Sequence, residues 1–523
     1  MGLNHCANLE CPSGQELGRS SCVCSSTLEP PVDGACSDDV CGPDGCPCTL
    51  DGIEGAIARG GTQVLRCVGA PPVNSTRTIV VDNDVILDGQ EITVQGDGRH
   101  LIFDVEPSIV ELIGFTISNG DQAIAVSTGA TLTLTNSTVK ENTSSSAGGG
   151  IRNDGILTLV DTTVEANTAA SATFGSGGGI YNIGMLTLTA NSKVRDNESF
   201  GGPGGGIQND GGEVVVEGGS EISSNKAFAT DPVGRLNRGG GISNVNGTVT
   251  VRNSLIEGNR ALGRGGGLSS TGSSAQTQII DTTVSRNTSK GVGGGFWGED
   301  GGFLQATRTK WLENESEFDG GAILVEGSNT ALTLTSSTVW NNSAPATGVG
   351  GAVRVYNNAN ATIVNSTIFD NFAGDGGALH IQLGASAELR SSTISRNRAS
   401  GINGNAAGIT NIDGTLTLIQ TIIDDSCVAL ATTVSLDYNI ESPGNTCQLD
   451  GTNDMVDVTP EALALSGTLT ENVGATPTLM MTSQSVAVDS MISSCDQMED
   501  QRGVSRPQGL GCDIGAVELR PDE

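Results

Sequence analysis

The sequence predicts an all-β chain, a right-handed single-stranded parallel β-helix with three strands per coil, and three observations predict it. A unit G-G-G-I-x-N, x-L-T-L-x, S-T-V-x-x-N recurs, shown whole by Gly148-Gly149-Gly150-Ile151, Leu157-Thr158-Leu159, Thr163-Val164 and Asn167. Its closing asparagine returns as Asn142, Asn167, Asn197, Asn225, Asn259, Asn287, Asn314, Asn342, Asn371 and Asn397, spaced 25 to 34 residues apart. Composition agrees: with 75 glycines, 3% aromatic and 36% hydrophobic residues, a narrow core of Val, Ile and Leu in a repeat array fits better than several globular domains.

Each unit holds three short runs with apolar residues at alternate positions, separated by Gly and Asn turns, the period of strands with one buried face. A lone coil leaves its interior open above and below. Stacking closes it and pairs each strand with its equivalent about 4.8 Å away. The inward columns are then Ile151, Ile180, Ile207, Ile242, Leu268, Phe296, Ile323, Val353 and Leu379 on the first strand, and Val139, Val164, Val194, Ile222, Ile256, Val284, Trp311, Val339, Ile368 and Ile394 on the third. The asparagine column reads as a ladder of amides bonded along the stack, as left-handed turn residues, or as both. Sequons at Asn142, Asn197, Asn287 and Asn314 are generated by the repeat itself and call for no glycan. The third glycine becomes Ala322, Ala352 and Ala378 in later units, so that place needs a small side chain and not a positive φ.

The ends differ from the middle. Residues 1–49 are cysteine-rich, 50–74 form a helical cap region, 75–426 the β-helix and 427–523 a C-terminal region. Leu50, Ile53 and Ile57 stand at helical spacing, which predicts a short helix over the open N-terminal mouth. Nine of the 13 cysteines lie between Cys6 and Cys67, four between Cys427 and Cys512, and none between. Clusters without a C-x2-C pair predict disulfides and an oxidising compartment in preference to zinc. Two sets of four, Cys6, Cys11, Cys22, Cys24 and Cys36, Cys41, Cys46, Cys48, look like two small modules, with Cys67 left to join them or stay free.

Fifty-nine acidic residues against 26 basic ones give a formal charge of −33, which opposes phosphate backbones and anionic membranes and excludes nucleic acid as a partner. Such an excess of carboxylate suits calcium outside a cell, yet no ligand set stands out, so no metal site or cofactor is assigned. No 18-residue apolar run exists, hence no transmembrane segment is expected. Met1 to Glu10 lacks the basic and apolar parts of a leader, which is taken as removed.

The repeat, over about residues 75 to 425, resembles the polymorphic-outer-membrane-protein and pectin-lyase-like β-helices of bacterial surface proteins. The segment Asp500-Gln501-Arg502-Gly503-Val504-Ser505-Arg506-Pro507-Gln508-Gly509, then Cys512-Asp513-Ile514-Gly515-Ala516-Val517-Glu518, resembles the closing signature of the choice-of-anchor Q family of bacterial extracellular proteins. Ser435 to Ile440 and Glu471 to Thr478 resemble that family's preceding segments. These resemblances imply a bacterial protein outside the cell or on its surface. Cys427 with Cys447 and Cys495 with Cys512 are the simplest pairs in this region.

Three functions compete. A polysaccharide lyase or glycoside hydrolase would need clustered carboxylates with a base, or two carboxylates as acid and base or nucleophile, and no such set stands on consecutive coils. His5, His100 and His380 are far apart in sequence, and no G-x-S-x-G is present. A passive surface element needs no site at all. Adhesion or binding, of carbohydrate or a cell-surface protein, has positive support. Leu312, Trp340 and Phe369, each two places before a closing Asn, form an outward stripe roughly 10 Å long. Trp297, Leu324, Arg354 and His380 occupy outward positions on the first strand. The connection 226–238, the longest at its corner, adds Phe228, Arg235 and Arg238 as candidates.

Overall fold

A computed structural model describes residues 16–17, 22–23, 41–42, 45–171, 175–228, 237–401, 407–492 and 495–523. They form an all-β parallel solenoid of about 13 turns. One coil runs Ile151–Asn153, Ile156–Val160, Thr163–Glu165, then turns at Asn167 into Thr168–Ala169. The first strands stack into a parallel sheet from Ile79–Val81 to Cys427–Ala429. Residue-for-residue register holds through the regular coils, as in Ile151↔Ile180 and Val164↔Val194, and shifts only in the first ones, between Asp88 and Ile92. Every inward residue named from the repeat is at most 1% exposed. At about 1.5–3 kcal/mol for each fully buried aliphatic side chain, these columns dominate the body's stability. A further strand of two or three residues follows the asparagine in most coils and is too short to show a period in sequence.

The asparagine column is a ladder. Each Nδ2 donates to the Oδ1 of the next, from Asn142 to Asn167 at 2.9 Å through Asn371 to Asn397 at 2.8 Å. The same Oδ1 also accepts the preceding asparagine's backbone N–H, as Asn287 does from Asn259 at 3.0 Å. The left-handed reading is corrected: positive φ falls one place earlier, at Glu141, Ala166, Asp196, Ser224, Gly258, Arg286, Glu313, Asn341, Asp370 and Arg396. That residue turns the chain and thereby delivers the amide into line. Of the ladder asparagines that begin sequons, Asn142, Asn197, Asn287 and Asn314 are 0% exposed with Nδ2 already donating, so these four are not open to a glycan.

The triple glycine divides its labour. Gly148 has φ +77°, whereas a Cβ on Gly149 would come 2.2 Å from the Gly178 carbonyl of the next coil. Gly150 has no positive φ, in keeping with the alanines that replace it in later coils.

The ladder ends on Asp425, which accepts from Asn397 Nδ2 at 2.8 Å and from its backbone N–H. Burial pushes this carboxyl up to about 7, against the pull of the Asn397 hydrogen bonds. A folded value above the ordinary one means that its contribution to stability is complete below about pH 4 and lost as the pH rises through 7. Asp425→Asn is expected to flatten the dependence of the urea midpoint on pH between about 4 and 7; an identical slope in both proteins would exclude this assignment.

The helix Leu50–Arg59 closes the N-terminal end, its first turn capped by the Thr49 side chain and its Ile53, Ala56 and Ile57 buried in the main core. Cys41 joins Cys46 and Cys48 joins Cys67, so the second cysteine set does not close on itself. Cys6, Cys11, Cys24 and Cys36 lie outside the described residues. At the other end, parallel pairing continues past 427 through Thr432–Ser435 and Ile440–Glu441. The chain then folds back along the solenoid, adding the antiparallel pair Leu465–Thr470 and Thr478–Met481 and a second core around Leu463, Met481, Met491 and Ile514. The pairs Cys427–Cys447 and Cys495–Cys512 form as expected.

Candidate functional site

The outward column of the first sheet runs in register through Arg152, Tyr181, Gln208, Ser243, Ser269, Trp297, Leu324, Arg354 and His380. The sequence-based register is therefore right, but its expectation of an open surface is corrected at Trp297, Leu324 and His380. Trp297 is 0% exposed: the guanidinium carbons of Arg238 and Arg264 stand 5.1 and 4.7 Å from its ring centre, and its Nε1 donates to Glu326 at 2.8 Å. Leu324 is likewise buried, and Arg354 is paired with Asp319 and lies over the Tyr356 ring. His380 is buried, and desolvation together with neighbouring Arg354 holds its pKa down at about 3, so it stays neutral in ordinary solution.

The third-strand column Leu312, Trp340 and Phe369 is also in register. Here the returning C-terminal segment narrows the stripe. Gln501 donates to Thr338 and accepts from Thr367, while Thr338 donates to the Pro477 carbonyl. Phe369 is covered: Arg396 lies 5.9 Å from its ring centre and donates to the Gly467 carbonyl at 2.6 Å. Leu312 and Trp340 stay half-buried. In the long connection, Phe228 stacks on Phe200 with ring centres 5.5 Å apart, Arg238 serves the Trp297 cover, and Arg235 lies outside the described residues.

The accessible part of the first-sheet column is at its other end. Arg152, Tyr181 and Gln208, one from each of three consecutive strands, line a hollow of about 470 Å³ together with Ser146, Asp210 and Val245. The Arg152 guanidinium lies 5.3 Å from the Tyr181 ring centre and donates to Asp154 at 3.0 and 3.1 Å. The Tyr181 hydroxyl donates to Asp210 at 2.9 Å; burial and that hydrogen bond push it up to about 12, which keeps it protonated. Gln208 is 3% exposed, and its Oε1 is buried without a hydrogen-bond partner. A buried amide oxygen left unpaired costs roughly 1–3 kcal/mol, so it is a place where a donor is wanted.

Chemically the hollow offers a ring edge, a guanidinium, an acceptor and hydroxyls. The carboxylate that lines it, Asp210, is engaged by the Tyr181 hydroxyl, which suits holding a ligand more than moving a proton. Sequence reading passed over it because its residues change type from coil to coil. The available signal was position: each follows the inward isoleucine of its strand. Among the described residues no three His, Cys, Asp or Glu side chains gather as a metal site, and no helix is long and apolar enough to cross a membrane. No protein-family model, no curated protein and no solved structure matches the chain.

Proposed function

We propose that this chain is a bacterial surface or secreted binding protein that captures carbohydrate in the hollow of Arg152, Tyr181, Gln208 and Asp210. The observation that carries the reading is the unpaired Gln208 Oε1 beside an aromatic ring, a guanidinium and a hydroxyl–carboxylate hydrogen bond, since sugar hydroxyls donate and accept at once and their C–H faces rest on aromatic rings. The resemblance to pectin-lyase-like and choice-of-anchor Q proteins supports the surface location, as do the four disulfides among the described residues at the two ends. An adhesive role follows from a rigid rod that presents its site on a flank.

A glycan array with the purified protein should give a defined set of captured sugars. Tyr181→Ala should weaken that capture by about tenfold or more, and Gln208→Leu should do likewise, with thermal unfolding unchanged. Capture of no glycan, or equal capture by both variants, would reject the hollow as the site.

A further inference from the structure

The longest sheet of the solenoid, made by strands such as Gln276–Ile280, Phe303–Thr307, Ala331–Thr335 and Asn360–Val364, turns alternate residues outward. On these four coils the outward positions are Gln276, Gln278, Ile280, then Phe303, Gln305, Thr307, then Ala331, Thr333, Thr335, then Asn360, Thr362, Val364. All are solvent-accessible and none carries a charge. Thr131, Thr133, Thr135, Ile156, Thr158, Val160, Met185, Thr187 and Thr189 make a second neutral block three coils deep. Between the blocks, Glu217 pairs with Arg252 at 3.4 Å; beyond them Glu388 pairs with Arg390.

A neutral face on a chain of net charge −33 limits what it can meet. A second copy is opposed by like charge over the rest of both rods, and a cationic partner would be drawn to the acidic surfaces instead. An extended uncharged partner that hydrogen-bonds meets neither obstacle, and an uncharged polysaccharide is one. The face suits one: register fixes its groups at about 4.8 Å from coil to coil and about 6.6 Å along a strand, a lattice of hydroxyls and amides interspersed with methyl groups. Gln278 already donates to Gln305 at 3.3 Å, so the amides are aligned along the stack before any partner arrives. Pre-alignment lowers the ordering cost of contact.

We infer that this sheet face is a docking surface for the flat side of an uncharged, insoluble polysaccharide, separate from the hollow and independent of it. The test is a pull-down with microcrystalline cellulose, chitin and insoluble β-glucan in moderate salt. The expected result is retention on at least one solid, reduced about tenfold or more by the double variant Thr333→Glu, Thr362→Glu and unaffected by Tyr181→Ala. Circular dichroism and urea midpoints establish that the variants are folded, and Thr158→Glu, Thr187→Glu tests the second block in the same way. Retention on none of the solids, or equal retention by the glutamate variants, overturns the inference. So do adsorption to ice crystals in place of polysaccharide, and a concentration-dependent dimer in sedimentation that the same glutamates abolish.

Discussion

Glu518→Ala should detach the C-terminal segment from the flank of the solenoid, at a cost of about 3–5 kcal/mol for a buried ion pair stripped of one partner. Glu518 and Arg506 have side chains 1% exposed and 3.4 Å apart. Arg506 also donates to the carbonyls of Asp513 and Gly515, and Glu518 accepts the backbone N–H groups of Gln508 and Asp513. Arg502 and Asp500, both fully buried, form the adjoining pair at 2.9 Å. Without Glu518, Arg506 is left charged in a site where burial already lowers its pKa. Hydrogen exchange is the decisive measurement, because it separates the two regions. Residues 460–518 should lose protection while the coils around Ile256 keep theirs. Protection lost uniformly along the chain, or nowhere, would contradict this account.

Asn259→Leu should be equally severe, for a different reason. Asn259 Nδ2 donates to the Ile222 carbonyl and to Asn287 Oδ1, and its Oδ1 accepts the Asn225 backbone N–H and Nδ2. A leucine of similar size strands several of these groups in a site that water does not reach, at about 1–3 kcal/mol for each. A total near 4 kcal/mol is expected in urea denaturation, well above the fraction of a kcal/mol expected for an exposed substitution such as Thr248→Ser. A loss below about 1 kcal/mol would mean that the ladder is incidental to the stack.

Much of this architecture was legible because the repeat states it: inward isoleucines and valines recur at one phase, and a phase error of one residue would have turned all of them outward. The covering of the outward columns was not legible. Nothing local in Trp297 announces that Arg238 and Arg264 will lie across it, since that contact depends on how the loops from two other coils lean. Phe369 is covered by Arg396, which is held by the Gly467 carbonyl about a hundred residues further on. The closing motif was visible as a motif, and its work becomes visible only in three dimensions: Asp500, Arg502, Arg506, Asp513 and Glu518 bond chiefly to one another and to nearby backbone, while Gln501, Gly515 and Ala516 bond to the solenoid wall. The hollow stayed hidden because residue type varies along its column.

The amide ladder also has a direction. Every Nδ2 points toward the later coils, so the row has an accepting head, filled by the Gly120 N–H on Asn142, and a donating tail, filled by Asp425. Asp425 ends the row with a carboxyl where the other members have an amide, so no Nδ2 is left to donate onward and the run of amides stops there.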